Sequence, residues 1–299
     1  MKIVISGATG FIGGFLRTYL LELGHELVVV TRDPKKYESE KADNQQFITW
    51  DATALIASME TADVVINLAG ESIFGQRWTD EIKRRLMVSR VDSTRMLVDA
   101  AIAAKSKPAL FISASAVGIY GDSADKLLTE DSAAGSDFLA KICLAWEEEA
   151  HRVKELGIRL AIPRIGIVLH PDDGALQKMV LPFKLFAGGP IGDGKQFVPW
   201  IHMHDTVRAI AFPIENTSFE GPYNVCAPEA VSNEVLSFTI GKVLNRPSWI
   251  AAPKFALNII LGEAAQPVLN SLRVQPEALL EADFSFTFED LEESLADLL

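Results

Sequence analysis

A chain of 299 residues, 48% apolar and 23% charged, reads as a soluble globular protein long enough for one large or two modest domains. Its net charge of −12 excludes nucleic acid and anionic membranes as main partners, because both need a basic surface. The two cysteines, Cys143 and Cys226, have no metal-ligand spacing, and no apolar run approaches the roughly 18 residues of a membrane span, so free thiols and a cytoplasmic location are expected.

Residues 2 to 14 organise the rest. Ile3, Val4 and Ile5 form a β-branched run of the kind that is buried on both faces of a sheet. Gly7, Gly10 and Gly13 follow at a spacing of three, and a helical pattern then continues to Gly24. Strand, glycine turn and helix is the context of a dinucleotide site. Glycine lets the backbone approach a pyrophosphate, and the helix start offers unpaired N–H groups. Gly7, Thr9, Gly10, Phe11, Ile12 and Gly13 are therefore the expected phosphate cradle.

A second strand ends at Thr31 and Arg32, where the residue that reads the adenosine ribose is expected. Arg32, with Lys35 or Lys36, would pair with a 2′-phosphate and favours NADP; Asp33, one residue on, keeps NAD as the alternative. A third strand is expected over residues 47–51. Asp51 at its end either reaches the adenine amino group or caps the next helix. A fourth strand, 63–70, should place Leu68, Ala69 and Gly70 beside the cofactor. A long helix over 80–104 carries Arg84, Arg85 and Arg90.

Further on, residues 109–115 read as a fifth strand ending in Ser113 and Ser115. A helix over 137–156 and a sixth strand over 159–168 follow. This alternation predicts an α/β fold, a doubly wound parallel sheet covered on both faces. The texture then changes, since 12 of the 14 prolines lie at or beyond Pro163. The expected division is a dinucleotide-binding domain over 1–165, to which segments such as 196–228 return, and a smaller substrate lobe with a C-terminal extension over 166–299. His202, His204 and Asp205 lack a further ligand, so no metal is expected, and Asp205 is read as the cap of the next helix. Leucines at 291, 295, 298 and 299 predict an amphipathic final helix.

Taken together, the Gly7–Gly13 turn, Asn67–Gly70, Ser113 and Ser115, and Ile119-Tyr120-Gly121 resemble the extended short-chain dehydrogenase/reductases of the sugar-nucleotide epimerase and dehydratase group. Arg77-Trp78-Thr79, Ser89-Arg90, Leu181-Pro182-Phe183, the run Gly188–Gly192, and Trp200-Ile201-His202 resemble one subgroup, some of whose members carry a label as SulA-like cell-division inhibitors. The resemblance implies a Rossmann-type fold and NADP(H) binding. It also implies that the backbone over 163–168 lines the nicotinamide ribose side, and it leaves room for a homodimer through the two long helices.

In that family a tyrosine four residues before a lysine exchanges the substrate proton. Here Lys141 matches the lysine, but Asp137 stands where the tyrosine would be. An exposed aspartate, with a pKa of about 3.9, is ionised at neutral pH and can take a proton far more readily than give one. It could equally open the helix and pair with Lys141 at i, i+4. Ser115 aligns with the family's catalytic hydroxyl, Tyr120 with a pocket-shaping tyrosine that could substitute as an acid, and Arg90 with a position that faces either the cofactor or solvent.

The expected catalytic set is Ser115, Asp137 and Lys141. The expected function is NADP(H)-dependent hydride transfer on a small polar carbonyl or alcohol, with a sugar-nucleotide-like substrate within that class. The alternative is a cofactor-binding sensor without turnover.

Overall fold

In this computed structural model, which describes residues 1–40 and 42–299, the expected parallel sheet forms and defines one functional edge. Strands β1 (Lys2–Ser6), β2 (Glu26–Val30), β3 (Gln45–Ile48), β4 (Val64–Asn67), β5 (Leu110–Ser113), β6 (Arg159–Ile165) and β7 (Gly221–Val225) lie in the order β7-β6-β5-β4-β1-β2-β3. All pairs are parallel, with Ile5 beside Val29 on one flank and Ile66 on the other.

Ile3, Val4 and Ile5 are fully buried, which follows from helices covering both faces of the sheet. Helix α1 (Phe11–Glu22) turns Leu16 and Leu20, one helical turn apart, onto one face. On the other face lie α2 (Ala52–Met59), α3 (Asp80–Ala103) and α4 (Phe138–His151), through Leu55, Leu97, Val98 and Ala150. Each of these helices runs back against the strand it follows, so the starts of α1, α3 and α4 open at the C-terminal edge of the sheet, where ligands bind in such folds.

After β6 the chain builds a second core. Helices α5 (Gly174–Lys184) and α7 (Asn233–Leu244) pack with the final helix Leu291–Leu298 around Trp200, through Leu176, Phe183, Leu236, Ile240 and Leu295. Helix α6 (Met203–Glu215) instead returns to the main sheet and joins α1 on its face through Val207 and Ile210. Among the described residues no helix is long and apolar enough to cross a membrane.

Several boundaries differ from the sequence reading. The third strand is Gln45–Ile48 rather than 47–51, because Asp51 already caps α2, accepting from the Ala54 N–H at 3.0 Å. The sixth strand stops at Ile165: Gly166 passes so close to the Pro199 carbonyl that a β-carbon there would collide with it, and Ile167–Leu169 pairs instead with Trp200–His202. Helix α4 ends at His151 and tightens into a 3-10 turn over Arg152–Leu156, closed by Gly157 at φ +72°.

Asp205 does not cap α6. The His202 ring takes that role, its Nδ1 accepting from the His204 N–H at 3.0 Å. Asp205 is fully buried and accepts from the Thr287 and Phe288 N–H groups and from Arg208, which ties the C-terminal segment to α6.

Candidate active site

At the β1–α1 turn the glycines are dictated by contact. Gly7 has φ +74°, and a β-carbon on it would stand 2.5 Å from the Leu68 carbonyl carbon and oxygen. Gly13 backs directly onto the Gly7 carbonyl, so a side chain there would strike backbone. These close approaches bring the turn against the end of β4, where Leu68, Ala69 and Gly70 follow. Gly10 is the N-cap of α1 and supplies no side-chain acceptor, and no acidic residue lies in the first turn. The N–H groups of Thr9, Phe11 and Ile12 therefore stand at an uncapped helix start, the arrangement that suits a phosphate.

Around this cradle the other candidates take different positions. Thr31 is buried at the end of β2, while Arg32 is exposed and has no hydrogen-bond or ion-pair partner among the described residues. Asp51 is occupied as the cap already noted. Asn67 receives the Ser6 hydroxyl at 2.7 Å and donates to Thr94 at 2.8 Å, locking β1, β4 and α3 together at the crevice edge. Beside Asn67 in register, the Ser113 hydroxyl is buried without a partner among the described residues. A buried hydroxyl left unpaired at a ligand edge fits a polar group of a bound molecule.

Arg90 turns inward. It donates to the Leu86 and Glu71 carbonyls at 3.0 and 2.9 Å, lies 5.4 Å from the centre of the Trp146 ring, and packs against Gly70. Burial pulls its pKa below the usual guanidinium value. Its fork is largely spent on backbone, so it shapes the loop after β4.

The catalytic candidates come from α4 and the strand end before it. Asp137 is the N-cap of α4: one carboxylate oxygen accepts from the Ala140 N–H at 2.9 Å, the other from the Asn270 side chain at 3.3 Å. No i, i+4 ion pair with Lys141 forms among the described residues. Lys141, one turn along, is exposed and makes no ion pair among the described residues. Ser115 is buried, and its hydroxyl donates to Glu147 at 2.6 Å.

Glu147 belongs to a network the sequence did not disclose. Arg164 on β6 grips both of its oxygens at 2.9 Å, and donates further to the Tyr120 hydroxyl at 3.0 Å and the Glu130 carbonyl at 3.1 Å. Burial works against the Arg164 charge, but the hydrogen bonds and charge of Glu147 outweigh it and raise its pKa. The Tyr120 hydroxyl in turn donates to Asn224 at 2.7 Å. Burial pushes its pKa up to about 12, so it is a poor acid at neutral pH. An arginine next to the end of a largely apolar strand was the one visible signal. Its partner Glu147, on another element, was not readable, and neither was Asn270, far along the chain.

Comparison with known proteins agrees with this architecture. Residues 3–226 match the NAD dependent epimerase/dehydratase family, and residues 252–298 match a domain of unknown function, DUF1731. The chain is 38% identical to the epimerase family protein YfhF of Bacillus subtilis, with 100% of this chain and 98% of that protein covered. It is 37% identical to the chloroplastic SDR39U1 homolog of Arabidopsis thaliana, with 100% of this chain and 87% of that protein covered. Its structure is similar to human epimerase family protein SDR39U1 with NADPH, at a TM-score of 0.89 and 30% identity, with 100% of this chain and 99% of the other covered.

Proposed function

We infer function from one premise, that this chain belongs to the NAD dependent epimerase/dehydratase family, and we propose that it binds NADP(H) and transfers a hydride on a small polar substrate. The observation that carries the proposal is the uncapped, glycine-lined start of α1 packed against the end of β4. The NADPH in the human SDR39U1 structure supports the same cofactor.

In this reading the Gly7–Gly13 turn holds the pyrophosphate and Arg32 pairs with the 2′-phosphate. Leu68 to Gly70 and Ser113 flank the nicotinamide side, and Lys141 holds the ribose. When bound, the nicotinamide supplies or accepts a hydride. The carbonyl–alcohol pair is the reference chemistry, with residues 166–299 supplying most of the substrate lobe. In this reading Ser115 orients the reacting oxygen and Asp137 handles its proton.

Titration calorimetry with NADPH and NADH tests the cofactor assignment. Arg32→Ala should weaken NADPH about 10- to 100-fold, the worth of a charge-assisted hydrogen bond, and leave NADH nearly unchanged. Equal loss for both would remove Arg32 from the 2′-phosphate role. A second reading, a nucleotide sensor without turnover, is favoured by the commitment of the Ser115 and Tyr120 hydroxyls to Glu147 and Asn224. Tight NADPH binding with no turnover of any substrate class would select it.

A further inference from the structure

Just past the end of β6, a narrow slot lies between the lobe and the C-terminal extension. Ile167, Met179, Phe197, Val198 and Val268 are on its walls. Its polar side chains are two asparagines, and both are engaged. Asn233 accepts from the Ile191 N–H at 2.7 Å, and Asn270 donates to Asp137 at 3.3 Å. Asn270 thus joins the slot to the carboxylate at the head of α4. Ile167 joins it to the strand end that the cofactor reading sets beside the nicotinamide ribose.

A nucleoside diphosphate would need cations or free N–H groups here, and the slot offers neither. No charged side chain among the described residues lines it. The start of α7, which brings Asn233 to the wall, is already capped by Ser232 and carries Glu234 in its first turn. The extension over 252–298 has nine acidic residues and two basic ones, so its field repels a diphosphate. Of those two cations, Lys254 is paired with Asp193 at 3.2 Å, and Arg273 lies over the Phe197 ring, 5.2 Å from its centre.

We propose that the slot receives the body of the substrate and that this body is apolar and uncharged: the site takes a carbonyl or alcohol on a hydrocarbon skeleton, not a sugar nucleotide. The proposal rests on the hydride-transfer reading above and narrows its substrate, whose polar part is then the reacting C–O group alone. That group stays at the Asp137 end, and the hydrocarbon enters between Val198 and Val268. In the reducing direction the carbonyl carbon gains the hydride and the C=O π pair moves onto oxygen, which takes a proton drawn from water. The nicotinamide is oxidised by two electrons. Met179 is unbranched and half-buried, so it can shift to admit bodies of different width.

The test uses the full-length protein loaded with NADP, which cannot reduce a ketone, so calorimetry reads binding alone. Across the straight-chain methyl ketones from butanone to heptan-2-one, each added CH2 should tighten binding about fourfold, the worth of burying one methylene. UDP-glucose should not compete with heptan-2-one. Met179→Gln and Val268→Thr put a polar atom on the wall at half-buried positions, where folding and NADPH affinity should be retained. Each should reduce the step per CH2 to about twofold or less. With NADPH in place of NADP, heptan-2-one should be reduced faster than butanone at equal low concentration, and UDP-glucose should not compete. An affinity that does not rise with chain length, competition by UDP-glucose, or a step unchanged in both variants would each overturn the apolar-body assignment while leaving the cofactor reading intact. Failure to bind NADPH at all would overturn both.

Discussion

Replacing Glu147 by glutamine keeps its shape and removes its charge, leaving Arg164 inside the protein without an anion. The two side chains are 8% and 9% exposed, and the guanidinium donates to both carboxylate oxygens at 2.9 Å. A glutamine can accept from Nε, but its amide then presents N–H groups to Nη2, so one charge-assisted bond is lost and one contact becomes repulsive. Breaking one side of a buried pair costs about 3–5 kcal/mol. A Coulomb figure of about 4 kcal/mol for charges some 4 Å apart at an effective dielectric near 20 has the same size. Urea unfolding should therefore show the midpoint falling with little change in slope, and the melting temperature should drop by roughly 6–15 °C. Adding Arg164→Met to Glu147→Gln should recover much of the loss, because the stranded charge is removed with its partner. A single variant within about 1 kcal/mol of the parent would mean that water reaches Arg164, and the account of this network as a dry ion pair would be wrong.

Two further outcomes follow from the same geometry. Gly7→Ala should destabilise the fold by about 2 kcal/mol or more, from the left-handed backbone at φ +74° and the contact with Leu68, and should abolish NADPH binding; thermal melts and calorimetry report the two effects. Tyr120→Phe should flatten the alkaline limb of the stability curve. The phenol pKa is raised from 10.0 to about 12 by burial, so its contribution is complete below about pH 10 and is lost as pH rises towards 12. The unfolded chain releases that proton first, at up to about 1.4 kcal/mol per pH unit, and chemical denaturation at several alkaline pH values should show the phenylalanine variant missing that slope.

How far the sequence could be read depended on the range of each interaction. The Gly7–Gly13 turn was legible because glycine spacing, the β-branched run before it and the helical pattern after it are all local. The parallel sheet followed from the alternation of strands and helices, whereas the order of its strands came only from the structure. Asp51 and Asp205 show the limit. Both were weighed as helix caps on the same local grounds; Asp51 is one, and Asp205 is not, because the backbone of Thr287 and Phe288 claims its carboxylate from about eighty residues away. The same holds at the heart of the site. Ser115, Asp137 and Tyr120 were each picked out by position along the chain, yet their hydrogen-bond partners Glu147, Asn270 and Asn224 lie on other elements. A hydroxyl's usefulness as a proton donor depends on where its hydrogen points, and that is fixed by such partners rather than by the residue itself. The missing tyrosine, read alone, suggests a damaged catalyst. Read with those partners, it describes two hydroxyls turned toward Glu147 and Asn224 and a carboxylate taken up at the start of α4.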